Sequence, residues 1–242
     1  MSLLLVDLGN SRLKWRRPGA PREEGAAAVA EAGGLLERWR ARAPGETLWL
    51  ASVAREPASR ALAAALAGLG FGALREARVE AGRFGIVPGY AAPAELGVDR
   101  WLGLVAAREQ APCVVALAGS CLTLDALDGG GRHLPGPILP GASRMAADLA
   151  ELGLRPAAQP PSGPFARGTG EAVALGLREA LVGAILRFRT AVAESLGRTP
   201  TLVLGGGEAA ALAPALPPPL VLRPALVLDG LERLARAEAA ES

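Results

Sequence analysis

The sequence has little of the chemistry on which several common kinds of protein depend. It contains a single histidine, His133, and two cysteines, Cys113 and Cys121, which are too few for a disulfide framework or for a zinc site built from His and Cys. Its apolar runs, such as residues 2–6 and 114–117, fall far short of the roughly 20 residues that cross a bilayer. A cationic stretch followed by a long apolar one, the mark of a signal peptide, is missing as well. We therefore expect a reduced, cytoplasmic protein that does not engage a membrane.

The chain also lacks an excess of charge of either sign. Its 26 basic and 24 acidic side chains give a formal net charge of +2 over 242 residues, and no basic tract is dense enough to neutralise the phosphates of a nucleic acid. Half of the residues are hydrophobic and 21% are charged, a balance that favours a folded core over disorder. The length allows one large domain or two lobes of about 110 residues each. Nucleic acid is not expected as a partner.

Four residue types occur only once in a chain dominated by Ala, Gly, Pro, Leu and Arg. They are Lys14, Asn10, Tyr90 and His133. A surface lysine can usually be replaced by arginine, so the lone Lys14 suggests a task that arginine cannot perform. His133 lies among Gly and Pro and is expected to be a solvated loop residue. The other three fall within two short segments, residues 3–15 and 90–101.

Strands alternate with helices in both halves of the chain, which predicts the α/β class. A strand, a turn of small residues and a second strand occur near residue 7 and again near residue 119, a repetition typical of a duplicated lobe. Residues 17–25 are expected to form a loop, and residues 135–141 a Pro- and Gly-rich connection. Helices are expected over 26–43, 58–69, 99–110, 142–152, 169–196 and 226–237.

Three small-residue turns that follow strands are candidate phosphate sites. They cover residues 9–11, 119–121 and 205–207. Backbone N–H groups in such turns can approach a phosphate because no side chain blocks them. Asp7 and Asp125 adjoin two of the turns, where a carboxylate can hold Mg²⁺, usually through water, and Lys14 could supply a positive charge to phosphoryl oxygens. Two such turns on facing lobes indicate an ATP cleft, whereas ordinary hairpin turns are the alternative for each turn taken alone.

Longer motifs carry a resemblance to a known family. Asp7-x-Gly9-Asn10-Ser11-x-x-Lys14 resembles the first phosphate motif of type III pantothenate kinases, a branch of the actin-like (ASKHA) superfamily. Tyr90-x-x-Pro93-x-x-Leu96-Gly97-x-Asp99-Arg100-Trp101 resembles their pantothenate-binding and catalytic segment, and Gly119-Ser120-Cys121-x-Thr123-x-Asp125 resembles their second phosphate motif. Shorter matches follow in family order, at residues 136–141, 169–176, 205–207 and 226–231. The resemblance therefore spans nearly the whole chain.

The resemblance implies a fold and an activity. The fold is expected to be α/β, with two actin-like (ASKHA, ribonuclease H-like) lobes over residues 1–110 and 111–242, a mixed sheet in each lobe and an ATP cleft between them. The implied enzyme is a phosphotransferase with an alcohol acceptor. It would use ATP and Mg²⁺ to convert pantothenate to 4′-phosphopantothenate, the first step of coenzyme A biosynthesis. Because the family forms dimers, a homodimer is expected.

The resemblance also implies roles for individual positions. Asp99 would accept the proton of the substrate's primary hydroxyl, and Asp7 would hold Mg²⁺ through water. Thr169 would contact pantothenate, and in the dimer this contact could reach the partner subunit's site. The implied ATP-binding residues are Asp7, Leu8, Gly9, Asn10, Ser11, Arg12, Leu13, Lys14 and Ser120. The implied pantothenate-binding residues are Tyr90, Gly97, Val98, Asp99, Arg100 and Thr169.

These residues and the function all have alternatives. Asp99 is also a typical N-cap for the helix that follows it, Arg100 could form a surface salt bridge, and Tyr90 could be an aromatic residue of a core or an interface. At the level of function, the same family includes proteins named Bvg accessory factors, which are assigned a role in transcription. The chain could therefore be a regulatory protein on this fold, or a kinase for a different small hydroxy acid.

One position departs from the family pattern and generates a prediction. The family usually has an Asp two residues before the glycine of the second phosphate motif, where it helps to bind K⁺ or NH₄⁺, whereas this chain has Leu117. A leucine side chain has no oxygen with which to ligate a cation. We therefore expect the steady-state rate to differ by less than about twofold between K⁺ and Na⁺ buffers. A large loss of rate in Na⁺ would contradict this and indicate a cation site built from other ligands.

Overall fold

The computed structural model describes residues 2–19 and 21–241. The strands of this described part are β1 Ser2–Leu8, β2 Arg12–Arg17, β3 Glu23–Ala28, β4 Glu46–Ser52, β5 Ala73–Glu76, β6 Cys113–Ala118, β7 Cys121–Leu127, β8 His133–Pro140, β9 Thr201–Gly205 and β10 Leu220–Leu222. Its α-helices are α1 Gly33–Arg40, α2 Pro57–Ala67, α3 Val98–Ala107, α4 Ala142–Glu151, α5 Thr169–Leu196, α6 Ala209–Leu212 and α7 Leu226–Glu241. Within the residues described, no helix combines the length and the apolar character of a membrane span.

The first sheet has five strands in the order β3-β2-β1-β4-β5. β1, β2 and β3 pair antiparallel as successive hairpins, whereas β4 is parallel to β1 and β5 is parallel to β4. Leu4, Val6 and Leu8 of β1 are fully buried and share one core with Trp39 of α1 and Leu66 of α2. Because side chains alternate between the faces of a strand, Asp7 of β1 lies on the opposite face of this sheet.

The second sheet repeats this plan strand for strand, in the order β10-β9-β6-β7-β8. β6, β7 and β8 pair antiparallel, β9 is parallel to β6, and β10 is parallel to β9. Its core joins the sheet to α5 through buried residues such as Val114, Leu122 and Ile185. The α/β class, the mixed sheets and the repeated strand–turn–strand unit predicted from the sequence are confirmed.

The residues cluster into two compact units. The first unit comprises Met1–Phe84, Tyr90–Ala106 and Leu226–Ser242, and the second comprises Gly85–Gly89 and Ala107–Ala225. This clustering differs from a single cut between residues 110 and 111, since the C-terminal segment and the short segment 85–89 each group with the other half of the chain.

Buried ion pairs explain why α7 groups with the first sheet. Arg16 of β2 is 2% exposed. Its guanidinium donates to Glu24 Oε2 at 2.9 Å, to Asp229 Oδ1 at 2.8 Å and to Glu232 Oε2 at 3.2 Å. Since Asp229 and Glu232 belong to α7, part of the charge that compensates the buried cation comes from the helix, and its loss would leave that charge poorly paired. α7 also packs on β1, β2 and β4.

The expected loop over 17–25 is too long, because β2 continues to Arg17 and β3 begins at Glu23, and the expected helix start at residue 26 is wrong. Residues Glu23–Ala28 form β3, which pairs antiparallel with β2, and α1 begins only at Gly33. The alanines at 26–28 have a high helix propensity, but the ladder with β2 satisfies their backbone N–H and C=O groups. Pairing with a neighbouring strand therefore outweighs the local preference.

The expected connection over 135–141 is wrong for a related reason, because most of it lies in β8. β8 is the edge of the second sheet, and an edge strand tolerates proline because a missing N–H can face away from the neighbouring strand. The remaining predicted helices are confirmed, with ends that shift by a few residues, and α5 occupies the predicted range 169–196.

Candidate active site

The first predicted phosphate turn is a tight hairpin between β1 and β2. Gly9 N donates to Arg12 O at 3.0 Å, and the strand register places Asp7 opposite Lys14. Lys14 Nζ lies 3.9 Å from Asp7 Oδ2, and the two side chains are 25% and 11% exposed. A carboxylate and an ammonium group thus lie side by side next to a turn whose tip, at Asn10, is exposed.

Asn10 anchors this turn to α2. Its Oδ1 accepts hydrogen bonds from Arg55 N at 2.7 Å and from Glu56 N at 3.2 Å. These two residues directly precede α2, and Glu56, at the N-cap, provides no side-chain cap of its own. The side-chain oxygen of Asn10 therefore satisfies backbone donors at the helix start, much as an N-cap side chain does. The turn that is predicted to bind phosphate is thus tied to the start of α2.

Of the other predicted ATP-binding residues of the hairpin, two have buried side chains and two have exposed ones. Leu8 and Leu13 are 0% exposed and belong to the core, so only their backbone groups could meet a ligand. Ser11 and Arg12 are exposed. The hairpin therefore combines a buried apolar base with a polar, accessible tip.

The Asp7 carboxyl has a perturbed pKa. Burial raises the pKa of Asp7 to about 6, Lys14 opposes this rise, and the negative charge of Asp99 adds to it. A divalent cation would offset both the energetic cost of burying the Asp7 charge and the repulsion between the Asp7 and Asp99 carboxylates. Among the described residues, no group of three or more His, Cys, Asp or Glu side chains could hold a metal ion alone. The Asp7 carboxylate, without such a group around it, fits Mg²⁺, which is usually bound by one or two carboxylates together with waters and substrate phosphates.

Asp99 lies within the first turn of α3, as the second residue of the helix. This position differs from the N-cap alternative, although Asp99 Oδ1 still accepts a hydrogen bond from a backbone donor, Arg100 N, at 2.8 Å. The neighbouring glycine is required by this arrangement, since a Cβ on Gly97 would lie 2.6 Å from Asp99 Oδ1. Gly97 therefore allows the carboxylate the orientation that it has.

Arg100 and Tyr90 form a second pair in the same unit. Arg100 is 4% exposed, and its Nη1 donates to Tyr90 Oη at 2.6 Å. The guanidinium carbon lies 5.4 Å from the centroid of the tyrosine ring, within the range of a cation–π interaction. Burial excludes the alternative of a surface salt bridge for Arg100, and Tyr90 is half-buried. A buried guanidinium beside a phenol has donors suited to a substrate carboxylate.

In the second unit, the structure brings the second and third predicted phosphate turns together. Ser120 is exposed between β6 and β7, and its carbonyl accepts a hydrogen bond from Gly141 N at 3.0 Å. Glu208 N donates to Ala118 O at 3.1 Å. Gly206 has φ +98°, and a Cβ there would collide with the backbone of Ala118, so that only glycine fits. The turn that carries Ser120 is thus held by backbone contacts.

Asp125, predicted as a Mg²⁺ ligand, faces a histidine. It is 1% exposed, and its Oδ1 lies 2.7 Å from His133 Nε2. His133 is also 1% exposed, so the expectation of a solvated loop histidine is wrong. The surrounding Gly and Pro obscured the edge strand that buries it, and the one signal available was that the chain has no other histidine. The contact with the imidazole and the burial both argue against a metal at Asp125.

The structure therefore brings together some of the predicted site residues but not all of them. Thr169 is exposed as the first residue of α5, and Val98 is buried at the start of α3. In the first unit, Asp7 lies beside Lys14 and within electrostatic range of Asp99, and Tyr90 contacts Arg100. Ser120 and Thr169 belong to the second unit.

Comparison with known proteins gives a family. A family model described as type III pantothenate kinase matches residues 3–191 of the chain. A type III pantothenate kinase of Chromobacterium violaceum is 42% identical over 241 residues, which cover 96% of this chain and 98% of that protein. A second, from Cupriavidus taiwanensis, is 36% identical over 281 aligned positions, covering 98% of each chain. The similarity extends over both sheets.

Solved structures share the fold. One from Campylobacter jejuni, named for the Baf family of transcriptional activators, has a TM-score of 0.65 at 18% identity and covers 98% of this chain and 99% of its own. MreB5 of Spiroplasma citri, solved with ADP bound, has a TM-score of 0.52 at 10% identity, covering 98% of this chain and 97% of its own. At these identities the likeness concerns the fold alone.

The burial of Asp7 predicts a pH-dependent cost to stability. Since burial raises the pKa of Asp7 from 3.8 to about 6, the folded protein retains a proton in this window that the unfolded chain releases, and stability falls as the pH rises through it. Asp7→Asn removes the charge, so we expect the unloaded protein to be more stable at pH 7.5, by up to about 3 kcal/mol. The gain in melting temperature should disappear near pH 4.

A matched control uses an exposed acid. Asp148 is exposed on α4, and Asp148→Asn should leave the melting temperature nearly unchanged at both pH values, because an exposed carboxylate has no burial cost to relieve. A loss of stability in Asp7→Asn at pH 7.5 that disappears near pH 4 would contradict the account, since it would mean that the charged form of Asp7 is favoured by its surroundings.

Proposed function

The chain belongs to the type III pantothenate kinase family, and from this membership we propose how its own residues carry out the reaction. It is a kinase that transfers the γ-phosphoryl group of ATP to pantothenate, in the biosynthesis of coenzyme A. The acceptor is the primary hydroxyl of pantothenate, and the products are 4′-phosphopantothenate and ADP. The observation that carries the proposal is the grouping of Asp7, Lys14 and Asp99 in the first unit.

Asp99 is proposed as the group that takes the proton of the hydroxyl. The oxygen of the hydroxyl forms a bond to the γ-phosphorus, the bond from that phosphorus to the β,γ-bridging oxygen breaks, and ADP leaves with that electron pair. The proton passes to the Asp99 carboxylate. The hydrogen bond from Arg100 N to Oδ1 and the clearance above Gly97 support this role, because they fix the carboxylate before substrate binds.

Arg100 and Tyr90 are proposed to bind pantothenate. The buried guanidinium can pair with the carboxylate of pantothenate, while the phenol holds the guanidinium plane in place. Gly97 and Val98 would line the same pocket as the start of α3. Thr169, exposed at the start of α5, is proposed to contact pantothenate, from the partner subunit if the protein forms the expected homodimer.

The phosphates of ATP are proposed to meet the hairpin residues 7–14 and Ser120. Lys14 would place a positive charge beside the transferred group, where negative charge accumulates. Mg²⁺, when bound with ATP, would neutralise charge on the β- and γ-phosphates. Asp7 is the residue proposed to hold it, through water, because its buried carboxylate lies near a second acid and gains most from a divalent cation. The ATP cleft between lobes stays a prediction.

Other features of the proposal come from the sequence. Leu117 supports a kinase that does not need K⁺ or NH₄⁺. Two cysteines without a disulfide, Cys113 and Cys121, fit the proposed cytoplasmic location. The regulatory alternative gains no support from the Campylobacter structure, because 18% identity concerns the fold alone. No observation favours a different hydroxy acid over pantothenate.

A steady-state assay of ADP release with ATP, Mg²⁺ and pantothenate tests the proposal. We expect pantothenate-dependent turnover in the natural protein and a loss of at least about 100-fold in kcat for Asp99→Asn, because the amide cannot accept the proton. The melting temperature and ATP binding should persist. Asp148→Asn, which removes an exposed charge, is the control and should keep full activity. Near-normal turnover in Asp99→Asn would rule out the assigned role of Asp99.

Gly97→Ala tests whether the orientation of Asp99 matters. The added Cβ would collide with the end of a short side chain, not with backbone, so the protein should fold while the carboxylate turns away. We expect kcat to fall at least about tenfold with the KM for ATP nearly unchanged. Gly34→Ala in α1, where a Cβ meets open space, is the matched control. A kcat for Gly97→Ala equal to that of the control would show that this orientation is unimportant.

A further inference from the structure

The segment Gly85–Gly89 clusters with the second unit, although the residues before and after it belong to the first. It runs beside the start of β8. Val87 N donates to Gly131 O at 3.0 Å, and His133 N donates to Val87 O at 2.9 Å, which together make a parallel bridge of Val87 with Arg132. The chain is therefore held by the second unit immediately before it reaches Tyr90.

A buried histidine secures the end of this segment. Gly89 N donates to His133 Nδ1 at 3.3 Å. Since Nδ1 accepts this bond it carries no proton, so the imidazole proton lies on Nε2. Nε2 then donates to Asp125 Oδ1 at 2.7 Å. Both side chains are 1% exposed, and together they form a fixed link from β7, through β8, to the backbone of Gly89.

The link ends one peptide before a residue of the candidate site. Tyr90 follows Gly89 directly, and its phenol accepts the 2.6 Å hydrogen bond from Arg100. A backbone shift at Gly89 would carry the Cα of Tyr90 with it. Displacement of a substrate-positioning group by about 1 Å can cost about 100-fold in rate, so the anchor at Gly89 has consequences for binding.

We propose that His133 is a positioning residue for pantothenate, which acts by holding Gly89 and thereby sets where Tyr90 meets Arg100 and the substrate. The inference rests on the proposed function, because Tyr90 and Arg100 are assigned to pantothenate there. The proposed route from His133 to the site runs through the chain at Gly89. Its effect is therefore on the binding of pantothenate and not on the binding of ATP.

Two amide substitutions of His133 each keep one of the two hydrogen bonds that the imidazole makes and remove the other. Asn carries its amide oxygen one bond from Cγ, where histidine has Nδ1, so His133→Asn can still accept from Gly89 N but cannot reach Asp125. Gln carries its amide nitrogen two bonds from Cγ, where histidine has Nε2, so His133→Gln can still donate to Asp125 but loses the acceptor for Gly89. A purely structural role and a positioning role make different predictions for this pair.

The kinetic test compares KM values. We expect His133→Gln to raise the KM for pantothenate about tenfold and to change the KM for ATP by less than about twofold. His133→Asn should keep the KM for pantothenate within about threefold of the natural value, even though its melting temperature falls because Asp125 has lost its donor. Val192→Ala, in the core of the second unit on α5, is the control for destabilisation and should leave both KM values unchanged.

A spectroscopic test does not depend on activity. Tyr90 is the only tyrosine of the chain, so incorporation of 3-fluorotyrosine labels this position alone for ¹⁹F NMR. The resonance should move or broaden in unliganded His133→Gln and should stay in place in His133→Asn and Val192→Ala. If His133→Gln gives too little folded protein, the combination of a natural KM and a natural resonance in His133→Asn still supports the proposal.

The possible outcomes distinguish the positioning role of His133 from the proposed function. Equal changes in the KM values for pantothenate and ATP, a KM effect that follows the loss of melting temperature across the variants, or an unchanged resonance in His133→Gln would each overturn the positioning role. Absence of pantothenate-dependent turnover in the natural protein would overturn the proposed function instead. In that case, the ¹⁹F result alone would still decide whether His133 holds Tyr90 in place.

Discussion

The electrostatics of the candidate site depend on the burial of the Asp7 carboxylate. Ionised and buried, with Asp99 in electrostatic range, this group is compensated only in part by Lys14, and burial therefore raises its pKa to about 6. The neighbouring residues hold the acids in place without relieving them: Asn10 ties the turn to α2, and Gly97 leaves room for Asp99. A preorganised, electrostatically costly site of this kind suits phosphoryl transfer, because a cation bound together with substrate phosphates would offset the unbalanced charge.

The two sheets share one topology but use it differently. In the first sheet, the hairpin β1–β2 presents Asp7 and Lys14 beside the turn. In the second sheet, the corresponding hairpin β6–β7 leads from the exposed Ser120 to Asp125, which is buried against His133. The acid of the second hairpin, on the strand after the turn, is thus part of a structural link. The same backbone plan provides a charged site in one unit and an anchor for the segment before Tyr90 in the other.

Much of the fold could be read from short stretches of sequence. The hairpins follow from small-residue turns between apolar strands, and α5 follows from its helical spacing of apolar residues, which is a local property. The motifs likewise located Asp7, Lys14 and Asp99, and the structure places Asp7 beside Lys14 and within electrostatic range of Asp99. The failures were at β3 and β8, where alanines and prolines have local preferences that pairing with a neighbouring strand overrides.

The α/β class, the duplicated hairpins and the family motifs are therefore predictable from the sequence, because each is encoded by residues close together in the chain. Which distant groups meet is known only from the packed structure. Arg16 and Asp229, 213 residues apart, draw α7 onto the first sheet, and His133 joins Asp125 to Gly89 over 44 residues. Such contacts depend on burial and on the orientation of charged and polar groups, and these arise only when the sheets and helices have packed.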